Sequence, residues 1–526
     1  MAVLSSADAE GLHMIDTAAE TVRVDTPAGR VVGERQGDVL AFKGIPFAKP
    51  PMGPLRWRMA EPLGPWTGVR DATRFGSVCP QAPTQLEMLI GSTLGEQAED
   101  CLYLNIWTPG CDGAQRPVMV WIHGGAFMIG AGSQGVYNGE ALAARGVVVV
   151  SVNYRLGAFG FVDLREASGG TLPASGTEGL GDQILALHWV KRNIAQFGGD
   201  PANVTVFGES AGGMCISALL AAPAARGLFH KAIAQSGGAH IGHTPERAAR
   251  VGGAVRDALK LSKHDAAKAH ELPYGAIVSA QIAVQADARE GKDALKLGAL
   301  PFQPTLDGRI LDGPPIGAIR GGSAAGIPLL TGTTLEEWKL FSAPNPATRL
   351  MSAKNLAQRI ERLAGESAPE MAVVYEEGSV FERFNALMTD KVFTQPCIRL
   401  LEAQGAHAPV YAYRFDWRSK LLGGIMGSCH GLELGFVFGS YRERLAGAFF
   451  GTGPEADALS DTMMAAWVAF ARTGNPATDG TGSWPRYDTA TRSTMILGDG
   501  APHLVDAPNE ARRQAWVPIP ERRLGP

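Results

Sequence analysis

The chain has 526 residues, and its 48 Lys and Arg against 52 Asp and Glu give a formal net charge of −4. With 45% hydrophobic and 19% charged residues, the composition is typical of a globular protein with ample apolar material for a core. No basic stripe stands out, which argues against nucleic acid as a partner. Six cysteines are too few for a disulfide scaffold. Because neither Cys-x-x-Cys nor His-Glu-x-x-His occurs, we expect no metal site and no cofactor.

The first 20 residues contain no Lys or Arg, and their longest apolar run is 1–4. A secretory signal needs a basic start and an apolar stretch, so we expect a cytoplasmic protein, or a secreted or periplasmic one if a leader has been removed. No segment reaches the ~18 apolar residues of a membrane span. We predict a flexible leader over 1–20, one large domain over 21–515 and a C-terminal tail over 516–526. The sequence leaves the oligomeric state open.

The elements that follow predict an α/β protein. Short strands are expected at 22–24, 29–33 and 39–42, and buried apolar runs follow at 118–122, 147–152, 204–207, 328–330 and 410–413. Such runs are typical of a mostly parallel sheet that is covered on both faces. The apolar spacing over 183–196 predicts a helix, and strands alternating with helices favour a large central sheet flanked by helices. We expect 244–300 and 345–405 to be helical excursions above the carboxyl ends of the strands, where ligands bind in such folds.

The first chemical signal is Gly208-Glu-Ser210-Ala-Gly212, between a predicted strand and an apolar helix pattern. This Gly-x-Ser-x-Gly pattern is typical of a sharp strand–turn–helix elbow that exposes a nucleophilic serine. A bare match is weak, and the strand and helix around it make the prediction specific. Ser210 is therefore the candidate nucleophile.

A serine hydroxyl needs a neighbouring base, and elbow-type hydrolases order the three residues as serine, acid, histidine. Of the eleven histidines, His430 best fits a base that comes after the last strand of the set, 410–413. The acid should follow a buried strand between Ser210 and His430. The run 328–330 leads to two adjacent carboxylates, Glu336 and Glu337, and their spacing does not choose between them.

A third signal concerns the negative charge that develops on a substrate oxygen. The predicted strand 118–122 runs into His123-Gly-Gly-Ala-Phe127, a loop whose glycines let backbone N–H groups turn toward one point. The N–H of Ala211, directly after the candidate nucleophile, is expected to contribute as well. The alternative is an ordinary glycine turn at the end of a strand.

Taken together, these residues resemble the type-B carboxylesterases, the family that includes the cholinesterases, over about 22–487. The resemblance implies an α/β-hydrolase fold whose helical excursions form an active-site gorge. It also selects Glu337 as the acid, with Trp338 standing where the family usually has Gly. The matching segments are 42–51, 55–57, 99–105, 153–157, 193–201, 234–237, 430–433 and 467–476.

The resemblance implies further roles for individual residues. The oxyanion donors become the N–H groups of Gly125, Ala126 and Ala211, with Gly124 serving as the turn. Ser236 matches a serine close to the triad, where either a supporting hydrogen bond or a purely structural role is open. The substrate pocket is expected to involve Phe127, Met128 and Trp338. Cys79 and Cys101 match a pair that closes an Ω-type loop in secreted relatives, and both a disulfide and two free thiols remain open.

The predicted function is that of a serine carboxylic-ester hydrolase acting through an acyl-enzyme on small to medium apolar or aryl esters. A non-catalytic binding protein of the same family is one alternative, although all its catalytic positions would then be filled without use. Hydrolysis of amides or lactones on the same fold is another, since a fold alone does not fix a reaction.

Overall fold

The computed structural model describes residues 20–84, 94–290, 297–442 and 446–526. The predicted leader, 1–20, lies outside these residues apart from Glu20. Within the described part, thirteen strands form one sheet. They are β1 (Thr21–Thr26), β2 (Gly29–Gln36), β3 (Val39–Pro46), β4 (Val69–Asp71), β5 (Tyr103–Thr108), β6 (Arg116–Ile122), β7 (Val148–Val152), β8 (Gly199–Glu209), β9 (Lys231–Gln235), β10 (Leu329–Thr334), β11 (Val410–Phe415), β12 (Thr494–Leu497) and β13 (His503–Val505).

The sheet has the order β1-β2-β3-β5-β7-β6-β8-β9-β10-β11-β12-β13, with β4 paired to β2. From β7 to β12 every neighbouring pair is parallel, while the pairs toward β1 and the pair β12–β13 are antiparallel. The parallel strands are apolar on both faces, as in β7, where all five residues are buried. The prediction of a large, mostly parallel sheet is confirmed.

Helices cover both faces of the sheet and fill the two predicted excursions. The α-helices are Glu140–Ala143, Gly157–Gly160, Glu178–Asn193, Ala211–Ala221, Pro245–Ala258, Tyr274–Glu290, Pro315–Arg320, Lys339–Ser342, Pro346–Arg349, Ala353–Ala364, Ala368–Val374, Val380–Thr389, Gln395–Gly405, Leu434–Phe438, Gly447–Phe450, Pro454–Thr473 and Glu510–Trp516. The helix predicted over 183–196 begins earlier, at Glu178, and its last residues form a 3-10 turn, Ile194–Phe197. Among the described helices, none is long and apolar enough to cross a membrane.

Alternation along the strands divides the core between the two faces of the sheet. In β6, Val118, Val120 and Ile122 pack into one cluster, while Met119 and Trp121 pack into the other. A third, smaller core cluster joins helices of the second excursion to residues after 515. Its buried members include Leu356, Ile360, Met371, Tyr375, Phe384, Leu387, Trp516, Ile519 and Leu524. The division into a 21–515 domain and a 516–526 tail stays a prediction, but the residues after 515 bury apolar side chains.

The parallel arrangement brings together the segments that carry the candidate residues. The strands β6, β8, β9, β10 and β11 are successive neighbours, so the loops that follow them emerge at the same edge. These loops begin at His123, Ser210, Ser236, Leu335 and Asp416.

Candidate active site

Ser210 lies at a strained turn between β8 and the helix Ala211–Ala221. Its φ of 57° and ψ of −126° lie outside the regions that non-glycine residues favour. The flanking glycines are required by the neighbouring strand: a Cβ on Gly212 would lie 2.0 Å from the Ile122 carbonyl oxygen, and one on Gly208 would lie 2.5 Å from it. The Ser210 side chain is half-buried, and its hydroxyl makes no hydrogen bond to any described residue.

His430 is buried and pairs with Glu337. The imidazole Nδ1 lies 2.6 Å from Oε2 of Glu337, and the His430 backbone N–H donates to the Glu337 carbonyl oxygen at 3.2 Å. The other carboxylate oxygen, Oε1, accepts hydrogen bonds from the Ser236 hydroxyl (2.5 Å) and the Thr334 N–H (2.8 Å). Glu337 is thereby fixed on both oxygens, and Nδ1 must carry a proton to donate to it.

Ser236 reaches Glu337 because the turn after β9 is also strained, with φ of 49° at Ser236. Its backbone N–H donates to the Gly332 carbonyl on β10 at 2.9 Å, which seats the turn against the strand that leads to Glu337. Of the two roles left open by the sequence, the structure contains the supporting hydrogen bond.

Glu336 points away from His430. Its Oε1 forms an ion pair with Lys339 at 2.6 Å, and its Oε2 accepts a hydrogen bond from the Ser428 N–H at 3.0 Å. The Glu336 side chain is only 19% exposed. It ties the turn after β10 to the loop that carries His430.

A second buried carboxylate faces the other nitrogen of His430. Oε1 of Glu209, the residue before Ser210, lies 3.0 Å from Nε2, yet it has no hydrogen-bond partner among the described residues. Burial lowers the pKa of His430, but the charges of Glu209 and Glu337 outweigh it and raise the pKa well above the ordinary imidazole value. Since the geometric contact lacks the alignment of a hydrogen bond, we attribute the role of Glu209 to its charge.

A third acid, Glu433, is fully buried behind this pair. Its Oε1 accepts a hydrogen bond from Nε2 of Gln235 at 3.1 Å, and Oε1 of Gln235 accepts one from the indole N–H of Trp467 at 3.0 Å. Burial, followed by the charges of Glu209 and Glu337, raises the pKa of Glu433 to about 8. At neutral pH this carboxyl is therefore predominantly protonated, which limits the negative charge around His430.

The loop after β6 and the start of the helix Ala211–Ala221 together present three backbone N–H groups without an acceptor among the described residues. Gly125, Ala126 and Phe127 have φ of 108°, 54° and 62°, and a Cβ on Gly125 would lie 2.0 Å from the Ile129 carbonyl oxygen. Within the described part of the chain, the N–H groups of Gly125, Ala126 and Ala211 donate no hydrogen bond. Gly124 is confined as well, because a Cβ there would lie 3.1 Å from the Cβ of Ser210. An acceptor atom at this point would satisfy these donors.

His123 anchors the same loop. Its ring stacks on Tyr154 at a centroid distance of 4.5 Å, and the Tyr154 hydroxyl donates to the His123 carbonyl oxygen at 2.7 Å. Burial lowers the pKa of His123 to about 4, so this imidazole is neutral at physiological pH. The geometry fits an anchoring role rather than proton transfer.

Aromatic rings cover the face of His430. The rings of Phe393 and Phe341 lie 4.6 and 5.3 Å from the imidazole, centroid to centroid. Trp338, half-buried, contacts Phe341 at 5.0 Å, and its backbone N–H donates to the Thr389 hydroxyl at 3.1 Å. Its φ of −69° is ordinary for a bulky residue, so the loop accepts Trp where the family usually has Gly.

The remaining predicted residues lie in or near the core. Phe127 is fully buried against Phe161, and Met128 is buried in the same cluster, so their part in a substrate pocket stays a prediction. Cys79 and Cys101 are buried free thiols. The neighbouring Cys79 thiol and burial raise the pKa of Cys101 well above the ordinary thiol value. The two alternatives for this pair, a disulfide or two thiols, stand as the sequence left them.

Comparison with known families decides what this constellation belongs to. A family model described as "Carboxylesterase family" matches residues 20–516. The chain belongs to the carboxylesterase family. This confirms the resemblance to the type-B carboxylesterases, the α/β-hydrolase fold and the prediction of a carboxylic-ester hydrolase.

Individual carboxylesterases are similar over nearly the whole chain. The para-nitrobenzyl esterase of Bacillus subtilis is 43% identical over 498 residues, covering 94% of this chain and 98% of the relative. The phenmedipham hydrolase of Pseudarthrobacter oxydans is 33% identical over 491 residues, covering 90% and 94%. Among solved structures, a carboxylesterase of Geobacillus stearothermophilus superposes with a TM-score of 0.83 at 38% identity, covering 94% of this chain and 99% of that one.

Four residues of this candidate site were given no role from the sequence: Glu209, Glu433, Phe341 and Phe393. Glu209 stands inside the serine motif and Glu433 inside a segment that carries the family resemblance, yet neither was given a role. Phe393 had no motif at all. The available signals were an acidic residue adjacent to the nucleophile and a proline, Pro396, inside a helical pattern.

Proposed function

We propose that this carboxylesterase hydrolyses small to medium apolar or aryl carboxylic esters through an acyl-enzyme formed on Ser210. The observation that carries the proposal is the buried Glu337–His430 pair, with its 2.6 Å contact, at the sheet edge where Ser210 occupies a strained turn. Glu337, His430 and Ser210 are then the acid, base and nucleophile of a triad.

In the acylation step, the Ser210 hydroxyl oxygen attacks the carbonyl carbon of the ester while Nε2 of His430 accepts its proton. For this transfer the imidazole must be neutral, with its one proton on Nδ1, and the contact of Nδ1 with Glu337 favours that tautomer. Nε2 must also align with the Ser210 hydroxyl, which makes no hydrogen bond to a described residue. Catalytic hydrogen bonds of this kind often tighten only when substrate is bound.

The tetrahedral intermediate carries a negative oxygen, and the N–H groups of Gly125, Ala126 and Ala211 are our candidates to bind it. This role is supported by the observation that the three N–H groups donate to no described residue. Loss of one such donor costs roughly 10²–10³ in kcat in serine hydrolases. The imidazolium then protonates the leaving alkoxide, and the alcohol departs.

In deacylation the same groups act on water. His430 accepts a proton from a water molecule, whose oxygen attacks the acyl carbon, and the proton is returned to Ser210 as the carboxylic acid leaves. No step needs a metal or an organic cofactor, and the proton balance is closed by His430 alone.

Aryl esters are the substrate class we favour. One similar protein is named for a para-nitrobenzyl group, which is aromatic. In this chain, the exposed ring of Phe341 lies 5.3 Å from the imidazole that protonates the departing alcohol in this mechanism. Aromatic rings pack well against one another in edge and offset arrangements.

The proposal is tested with an aryl phosphonate that forms a stable adduct with an activated serine. Mass spectrometry should locate the adduct on Ser210, and rapid mixing with an aryl ester should release a burst of alcohol equal to the active sites. Ser217→Ala is the matched control, since Ser217 is buried on the helix after Ser210 and donates only to the Gly237 carbonyl. An adduct elsewhere, or full activity of Ser210→Ala, would overturn the proposal. Faster turnover of matched amides than of esters would favour the alternative chemistry.

A further inference from the structure

The helix above His430 is interrupted by a widened turn. The helices Val380–Thr389 and Gln395–Gly405 are joined by a π-helical turn, Asp390–Thr394. The cause is Pro396, which has no N–H and whose ring would collide with the Val392 carbonyl in a regular helix. Such turns are frequent at functional sites, and this one carries Phe393, whose buried ring lies 4.6 Å from the imidazole of His430.

The widened turn leaves one backbone carbonyl without a helical partner. The Gln395 N–H donates to Asp390, so the partner of the Lys391 carbonyl would be Pro396, which cannot donate. The N–H of Gly525 donates to that carbonyl instead, at 3.0 Å. In return, the Lys391 ammonium donates to the Gly525 carbonyl at 2.5 Å. Because buried carbonyls must be paired, the C-terminal segment completes the turn.

A second chain of contacts ties the start of the turn to the same segment. Asp390 is buried, and its carboxylate accepts a hydrogen bond from the Tyr375 hydroxyl at 2.5 Å. The Tyr375 oxygen in turn accepts one from the indole N–H of Trp516 at 2.7 Å. Just before the turn, Thr389 accepts the hydrogen bond from Trp338, the neighbour of Glu337.

The segment itself is firmly seated. Trp516, Ile519 and Leu524 are all buried in the third core cluster. Gly525 has a φ of 78°, and a Cβ on it would lie 2.3 Å from the His240 carbonyl oxygen, so no other residue fits there without displacement. The segment 516–525 is therefore held rigidly against the π-helical turn.

We propose that the segment 516–525 is a positioning element for catalysis, which holds the π-helical turn so that Phe393 restrains the imidazole of His430. The inference rests on the proposed function, since it assigns His430 as the base. His430 lies between Glu337 at Nδ1 and Glu209 at Nε2, and proton transfer needs Nε2 aligned with the Ser210 hydroxyl. A ring packed on one face of the imidazole limits the orientations that it samples, so Phe393 is a positioning residue and not a catalytic one.

Two pairs of variants test this inference. Phe393→Leu is compared with Phe384→Leu, since both phenylalanines are buried on the same helical stretch but only Phe393 contacts His430. Gly525→Ala is compared with Gly500→Ala, a glycine of similar φ (89°) with open space around its Cβ. If Gly525→Ala fails to fold, Lys391→Met removes the ammonium contact alone.

The readout is kcat and KM for one aryl ester, with active sites counted by phosphonate titration. We expect Phe393→Leu and Gly525→Ala to lower kcat per titrated site about tenfold with KM changed less than about threefold, because misplacement of a catalytic group by ~1 Å costs up to 10²-fold. The two controls should lower Tm at most. Equal kcat for Phe393→Leu and Phe384→Leu would overturn the role of Phe393, and unchanged kcat for Gly525→Ala would overturn that of the segment. Failure of the phosphonate to label Ser210 would instead refute the proposed function.

Discussion

Replacement of Glu337 by glutamine should nearly abolish catalysis while the fold persists. In the protein, Oε1 of Glu337 accepts two hydrogen bonds, from the Ser236 hydroxyl and the Thr334 N–H. A glutamine side chain at this position must direct its carbonyl oxygen to the same two donors. Its NH₂ group then takes the place of Oε2, which lies 2.6 Å from Nδ1 of His430.

This substitution reverses the polarity of the contact with the imidazole. An NH₂ group opposite Nδ1 requires that nitrogen to accept, so the single proton of the neutral ring moves to Nε2, which then cannot take the proton of Ser210. In the serine-protease triad the same change costs about 10⁴-fold in kcat. That corresponds to about 5 kcal/mol of activation free energy, at 1.36 kcal/mol for each factor of ten.

Glu336→Gln is the matched control, because it changes the adjacent carboxylate by the same single group. Its amide oxygen can still accept from the Ser428 N–H, and the ion pairs with Lys339 and Arg418 are lost. We expect kcat to fall less than about tenfold, on the scale of ~1 kcal/mol for a partly exposed ion pair. The assay is kcat for a short-chain aryl ester, with Tm as a check on folding. The reasoning is refuted if Glu336→Gln is the more damaging change, or if Glu337→Gln retains more than about a tenth of the rate.

Four further outcomes are expected. Ser210→Ala should lose at least about 10³-fold in kcat with its Tm little changed, and substantial residual activity would remove Ser210 from its role. Because the carboxylates raise the pKa of His430 and the base must be neutral, kcat should rise with pH through an ionisation above the ordinary imidazole range. Glu209→Gln should move that rise to lower pH. A rate that is flat over about pH 5–8 would contradict a histidine base. Gly125→Ala should lower kcat by ~10² or more, because its Cβ would displace the loop after β6. A normal rate would rule out a role of that loop in binding the negative oxygen of the intermediate. The pKa of Glu433 is about 8 in the folded protein against 4.5 in the unfolded chain, so the folded state loses stability as the pH rises between those values. Glu433→Gln should therefore flatten the fall of Tm from pH 5 to 8. Identical Tm profiles of the two proteins would show that Glu433 is not protonated when folded.

Much of the site was predictable because its parts are local in sequence. The serine elbow needs Gly208 and Gly212 for a steric reason that holds wherever a strand runs beside the turn, and the Ile122 carbonyl is the atom that imposes it here. The loop after β6 is likewise indicated by two adjacent glycines, Gly124 and Gly125. His430 was proposed as the base from chain order alone, because it comes after the last strand of the set.

What could not be predicted depends on distances between remote segments. Glu209 acts on His430 from 221 positions away along the chain (residue 209 against residue 430), and nothing in its own motif indicates that it faces Nε2 at 3.0 Å. The strand β9 was not predicted, because Lys231–Gln235 is short and begins with a charged residue. The ion pair of Glu336 was missed for the same reason as the role of Glu209: a side chain's partner across a turn is a property of the folded loops.

The order of the strands has a consequence for how the protein is made. The proposed nucleophile follows β8, the proposed acid follows β10 and the proposed base follows β11, while the loop proposed to bind the developing charge follows β6. A ribosome must therefore deliver the chain as far as His430 before the first complete set of proposed reacting groups exists, and the segment 516–525, which contacts the π-helical turn, emerges later still. A nascent or prematurely ended chain can therefore form most strands of the sheet and still lack ester-hydrolase activity.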